Sequence, residues 1–186
     1  MTVDPASLKL QIHPAACLRE KCKPVEVDDE LRAIAARMIE VMRSAEGIGL
    51  AAPQVGLGMR IFVCHVPPEG EGPPADDAPI ACAEPEVFIN PEILAYEGPP
   101  EPYEEGCLSL PGILGEVRRP PVVRVRALGL DGTEFERRAG GLLGRCWQHE
   151  IDHLDGVMII DKMTQMSRLK NRTALKQLER RGRRGR

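Results

Sequence analysis

Apolar positions recur at helical spacing over residues 30–45. Leu31, Ile34, Ala35, Met38, Ile39, Val41 and Met42 form one broad stripe, the mark of a helix packed on a core. Asp28 or Asp29 can cap its start, and Gly47 is placed to end it. A second helix is predicted over residues 141–154, closed by Gly156, and a third over residues 166–181. Between them the pattern turns to strands. Residues 60–66 are a β-branched, apolar run, and residues 87–90 and 93–96 read as two short strands around Pro91. Residues 122–130 alternate Val and Arg, and Leu130-Asp131-Gly132-Thr133 is a hairpin turn into a strand at 134–138. Residues 157–160 are one more short apolar strand. Residues 8–27 look irregular and extended, with Pro14 and Pro24, and residues 67–85 read as a flexible surface excursion rich in Pro, Gly and acids. The order predicts an α+β fold, with mostly antiparallel sheets packed around the helix at 141–154 and a helix at the C-terminus.

That central helix carries Gln148-His149-Glu150-Ile151-Asp152-His153. On a helix, His149 and His153 leave the same face one turn apart and can hold one divalent metal. The chain has four His, and two of them sit at this ligand spacing. Cys107, in a Gly-Cys turn, is a soft candidate for a third ligand. Two His and one Cys leave a fourth position open, as in catalytic rather than structural sites. Their softness admits Fe(II), Co(II), Ni(II) or Zn(II). Glu150, one residue after a ligand, is placed to take a proton from water at the metal and return it to a departing amine; the competing reading is a solvated helix charge. Asp152 reads as structural, as the partner of an Arg. Breaking an amide also needs a donor for the developing oxyanion, for which Gln54 and the backbone N–H of Leu108 are candidates.

Composition narrows the class. The 186 residues are long enough for one domain with a real core, and at 3% aromatics that core must be mostly aliphatic. No apolar run approaches the roughly 20 residues that cross a bilayer. The start, Met1-Thr2-Val3-Asp4-Pro5, lacks the basic and apolar regions of an export signal, which leads to the expectation of a cytoplasmic protein with no membrane partner. The six cysteines then read as reduced thiols, with Cys64 and Cys146 as small buried hydrophobes.

Three segments together resemble the peptide deformylase family, in the expected order. They are Gly47-Ile48-Gly49-Leu50-Ala51-Ala52-Pro53-Gln54, Glu105-Gly106-Cys107-Leu108-Ser109, and Gln148 to His153. The resemblance runs from about residue 8 to residue 178. It implies a metallohydrolase that removes the formyl group from N-formylmethionine of nascent chains, with Cys107, His149 and His153 on the metal and Glu150 as general acid and base. It implies that Gln54 and the Leu108 amide hold the formyl oxygen, and that Gly49 and Gly106 lie where the peptide binds as an added strand. Ile48, Tyr103, Leu142 and Cys146 are the expected methionine pocket. Arg145 departs from the aliphatic residue that some members carry one turn before His149. The family's usual metal in the cell is Fe(II), often replaced by Zn or Ni on purification.

Charge is unevenly spread. Residues 168–186 hold nine Lys or Arg and one acid, Glu179, whereas the remainder is strongly acidic. The expected division is a catalytic domain at 1–167 and a basic helix and tail at 168–186. Such a tail suits a polyanion, and it resembles the extension that docks some bacterial members on the ribosome; DNA is not an expected partner. Two rival readings are a generic His-Glu-x-x-His metallopeptidase and a ribosome-associated RNA-binding module with a degenerate hydrolase core. The first needs a downstream third ligand, yet His13 and His65 lie upstream and Asp161 falls just past the predicted strand at 157–160. The second is opposed by the intact set of catalytic residue types.

Overall fold

The computed structural model describes residues 3–68 and 78–184. In chain order its elements are α1 (Asp29–Ser44), β1 (Gly49–Ala51), β2 (Ile61–Cys64), β3 (Glu86–Glu97), β4 (Glu101–Gly106), β5 (Leu114–Arg119), β6 (Val122–Leu128), β7 (Glu134–Gly140), α2 (Gly141–Leu154), α3 (Ile159–Lys162) and α4 (Gln165–Arg184). The strands form a five-stranded sheet, ordered β1-β2-β3-β6-β7, and a separate β4-β5 hairpin. Every neighbouring pair is antiparallel, as the α+β reading expects.

Asp28 is the α1 cap: its side chain accepts from the Leu31 N–H at 2.7 Å, an interaction worth about 1 kcal/mol. At the other end the left-handed residue is Glu46 (φ 55°), not Gly47. Gly47 answers to a steric need instead, since a Cβ there would lie 2.6 Å from Leu108 Cδ1.

Strand β2 explains how the sheet is buried on both faces. Ile61 and Val63 pack with α1, through Leu31, Ile34, Met38 and Met42, whereas Phe62 and Cys64 pack with α2. On the α2 side the scarce aromatics gather in one place. Phe62 stacks on Phe88 at 4.6 Å, and Phe135 and Trp147 meet Phe88 at 5.3 and 4.8 Å. All three Phe and the single Trp of the chain therefore fasten α2 to the sheet. Burying each Phe contributes about 1.5–3 kcal/mol.

Several expectations need correction. The two short strands around Pro91 are one twelve-residue strand, β3, whose pairing with β6 shifts register between Ile89 and Glu92. Pro91 sits in that irregularity, where no ladder N–H is required. Asn90 adopts φ 51° there and ties its amide to both backbone groups of Val25 at 2.9 and 2.8 Å. The predicted strand at 157–160 is instead a lead into the short helix α3, because the Asp161 carboxylate accepts from the Met158 N–H at 2.9 Å and closes a helical turn. The β4-β5 hairpin was not expected as strands at all. Of the excursion at 67–85, residues 69–77 lie outside the described residues. Its later part is not a free surface loop: Pro79 O, Ile80 O and the Cys82 N–H bond to Gly140, Leu143 and Val66.

Helix α4 packs Leu175 and Leu178 against a third cluster containing Leu18, Val117 and Met163, and Asn171 donates to Leu114 O at 2.7 Å. Among the described residues no helix is long and apolar enough to cross a membrane.

Candidate active site

The helical spacing places the two His of α2 as the sequence requires, with ring centroids 4.9 Å apart. Cys107 arrives from the turn after β4. One ligand atom each from Cys107, His149 and His153 lie within 4.8 Å of one another. Cys107 Sγ and His153 Nε2 are 3.2 Å apart. Two ligands bonded at about 2.0–2.3 Å in a tetrahedron stand about 3.6 Å from each other, so the residues present fit one metal ion.

The elements around this cluster fix its donors. His149 Nδ1 meets Glu105 Oε2 at 3.2 Å, which leaves its other nitrogen for the cluster. Glu105 is in turn clamped by Arg119, through Nε to Oε1 at 2.7 Å and Nη2 to Oε2 at 3.0 Å. Arg119 also reaches Asp152 at 2.7 Å, and Lys162 holds the second Asp152 oxygen at 2.6 Å. Burial works against ionising Glu105, yet the hydrogen bonds from His149 and Arg119 hold its carboxyl down at about 2. Arg145 adds a bond to Glu105 at 3.2 Å and one to Glu101 O at 2.6 Å, and lies 5.0 Å from the centre of the Tyr103 ring.

Glu150 is 3% exposed. Burial raises its carboxyl to about 7, against the opposing pull of His149 and Arg119. Its Oε2 is buried with no hydrogen-bond partner in the protein. Such an oxygen, on the residue next to His149, can take a proton from a bound molecule and give it back. Across the site, Gln54 Oε1 accepts from the Ala51 N–H at 2.8 Å, which turns the amide nitrogen toward Cys107 Sγ (3.6 Å) and Ser109 Oγ (3.4 Å). The amide is thereby presented as a donor.

A cleft of about 620 Å³ opens onto this group. Gln54, Cys107, Leu108, His149 and Glu150 line it, as do Ile48, Gly49, Tyr103, Gly106, Leu142 and Cys146. His153, 1% exposed, stands behind the wall. The expected metal ligands, Glu150, Gln54, Leu108 and the expected substrate-binding residues are thus at or directly behind one cleft. Tyr103 and Ile48 are half-exposed at its rim, whereas Cys146 is buried and donates to Ile48 O at 3.4 Å. Gly49 is required there: a Cβ would come within 2.3 Å of Glu150 Oε1 and 2.8 Å of Cys146 Sγ. Glu105 was quoted only as part of a motif, and Arg119 was not singled out; no local pattern marks either as the support of His149. The rival third ligand, Asp161, is committed elsewhere, paired with Arg19 and the Met158 N–H.

The family profile described as polypeptide deformylase matches residues 7–169. A peptide deformylase of Alkalilimnicola ehrlichii is 42% identical over 179 residues, covering 96% of this chain and 94% of that one. One of Phenylobacterium zucineum is 45% identical over 168 residues, covering 90% of each. The crystal structure of peptide deformylase from Ehrlichia chaffeensis superposes with a TM-score of 0.84 at 34% identity, over 96% of this chain and 98% of that one. With the His149–His153 pair, Cys107 and Glu150 converging at the head of one cleft, and with likeness across nearly its whole length, the chain belongs to the polypeptide deformylase family.

Proposed function

We propose that Cys107, His149 and His153 hold the catalytic metal and that Glu150 carries the proton in this enzyme's reaction. The reaction itself is that of the family: hydrolysis of the formyl amide of N-formylmethionine at the start of nascent polypeptides. When bound, the metal supplies a Lewis acid that lowers the pKa of water and polarises the formyl carbonyl. Glu150 takes a proton from the attacking water and delivers it to the methionine nitrogen as the C–N bond breaks, so formate and a free amine leave. The Gln54 amide and the Leu108 N–H donate to the oxygen on which negative charge develops, interactions that strengthen in the transition state. The observation that carries this reading is the partnerless, buried Oε2 of Glu150, a residue that lines the same cleft as Cys107 and His149. The test is a pair of peptides: formyl-Met-Ala-Ser should be hydrolysed and acetyl-Met-Ala-Ser left intact. Equal cleavage of both would overturn the reading.

Strand edges support the substrate's orientation. Among the described residues, strand β1, with Gly49, is an edge of the five-stranded sheet, and β4, with Gly106, pairs only with β5. Both edges border the cleft, so an extended peptide can add as a strand, with its methionine directed to Ile48, Tyr103, Leu142 and Cys146. Because a methyl at residue 49 collides with the Glu150 carboxylate, Gly49→Ala should lower kcat by about 10²-fold with the metal retained, the scale expected of a misplacement near 1 Å. Steady-state kinetics beside metal analysis checks this.

The donor set of one thiolate and two imidazoles suits Fe(II) as well as Zn(II), Ni(II) or Co(II), and we assign Fe(II) in the cell. Anaerobic purification with elemental analysis and an activity assay on the same sample tests that assignment. We also assign the basic face of α4 to the ribosome. Arg172, Lys176 and Arg180 are exposed along it, while Leu175 and Leu178 face the body. Since α4 is packed in place, charge reversal tests the role more cleanly than deletion. Arg172→Glu/Lys176→Glu/Arg180→Glu should leave hydrolysis of a free formyl-peptide unchanged and weaken ribosome binding at least tenfold at low salt. Unaltered sedimentation with ribosomes would remove the role.

A further inference from the structure

Behind the wall of the substrate cleft lies a second group of ligand-type side chains. Cys64 ends β2, Cys82 stands on the segment before β3, and Glu86 opens β3. The two sulfurs and a carboxylate oxygen lie within 4.8 Å of one another. Cys64 has no exposed surface and Cys82 is 9% exposed, and both are free thiols. On its other side the Cys64 thiol contacts Cys146.

Plain apolar packing accounts for the thiols but not for their third neighbour. Glu86 is held on one oxygen by Arg137, and its other oxygen is buried without any partner. A charged oxygen left in that state is unfavourable unless something binds it. The Val66 N–H donates to Cys82 Sγ at 3.2 Å, a contact that favours the thiolate over the thiol. A cavity of about 650 Å³, lined by Cys82, Glu86, Arg137 and Trp147, leads from solvent to the cluster.

We propose that Cys64, Cys82 and Glu86 form a second metal site, separate from the catalytic centre, for one thiophilic divalent cation such as Zn(II). Two thiolates and a carboxylate carry three negative charges. The cation cancels two, and the Arg137 guanidinium on Glu86 sets off the third. Binding releases the two thiol protons to solvent, so uptake weakens as the medium is acidified. Contact with Cys146 and burial raise the Cys64 thiol, and contact with Cys64 and burial raise that of Cys82, which makes that competition steep. Three protein donors leave the fourth position to the cavity. The bound cation joins β2 to the segment 78–86 and to β3, directly behind Cys146 of the substrate wall.

The test uses the full chain loaded with Ni(II) and then titrated with Cd(II), followed by desalting, elemental analysis and the ultraviolet thiolate-to-cadmium band. The wild type should retain one Cd(II) with that band while keeping its nickel. Cys82→Ala and, as a milder change, Glu86→Gln should each weaken cadmium uptake at least tenfold with peptide hydrolysis unchanged. The proposal is overturned if the wild type takes up no cadmium, if uptake is the same in both variants, or if cadmium enters only as nickel leaves. A Cys64–Cys82 disulfide in aerobically purified wild type that takes up no cadmium even after reduction would overturn it as well.

Discussion

Replacing Glu150 by Gln is expected to lower kcat by about 10²–10⁴-fold while the protein keeps its metal, the range that a positioned general acid–base contributes. Gln matches Glu in shape but cannot accept a proton from water at neutral pH. None of the three ligand atoms belongs to residue 150, so metal content should stay at the wild-type level. Stability should not suffer either. The Glu150 carboxyl is raised to about 7 by burial, which means the folded state disfavours its charge, and a neutral amide avoids that penalty. Three measurements on one preparation separate the outcomes: kcat, metal per chain and melting temperature. Loss of kcat with metal and melting temperature intact is the expected set. Wild-type turnover would remove Glu150 from the mechanism, and loss of metal would recast it as a support of the ligands.

The contrast between Glu150 and its neighbours shows which parts of the site can be read from the chain. The His149–His153 spacing is local, since helical periodicity alone fixes where the two rings point. Glu150 follows from adjacency to a ligand. Cys107 and Gln54 lie 42 and 95 residues away from His149; their meeting depends on tertiary packing, and only the resemblance joined them beforehand. The support beneath His149 was invisible for a different reason. Strand β4 reads Glu101-Pro102-Tyr103-Glu104-Glu105-Gly106, with acids and a Pro that oppose a strand assignment. Its pairing with β5 places Glu105 within reach of Arg119, a relation set by hairpin register and α2 packing rather than by any local signal. The short apolar run at 157–160 failed in the opposite direction. Four apolar residues do not distinguish strand from helix, and the Asp161 side chain decided it. The alternation of β6 and the apolar stripe of α1 were legible because their patterns repeat over many residues.

That hidden support predicts the second large effect. Arg119→Met is expected to cost about 3–5 kcal/mol of stability, the scale for breaking a buried ion pair from one side. Arg119 is 2% exposed and spends its guanidinium on two carboxylates at once, Glu105 and Asp152. Met fills much of the space but leaves Glu105 buried, with only Arg145 and His149 beside it. Asp152 fares better, because Lys162 retains one of its oxygens. The damage should therefore concentrate on Glu105 and pass through it to His149 Nδ1. Loosening the carboxylate that fixes a ligating imidazole should lower metal affinity by about 10–100-fold. Denaturant unfolding and a competitive chelator titration measure the two effects independently. Adding Glu105→Gln to Arg119→Met tests the route. The neutral amide removes the uncompensated charge, so the double variant should regain part of the stability lost by the single one. It should not regain metal affinity, because Glu105→Gln itself removes the carboxylate that holds His149. Recovery of both together would mean that Arg119 acts on the metal through the general stability of α2 rather than through Glu105.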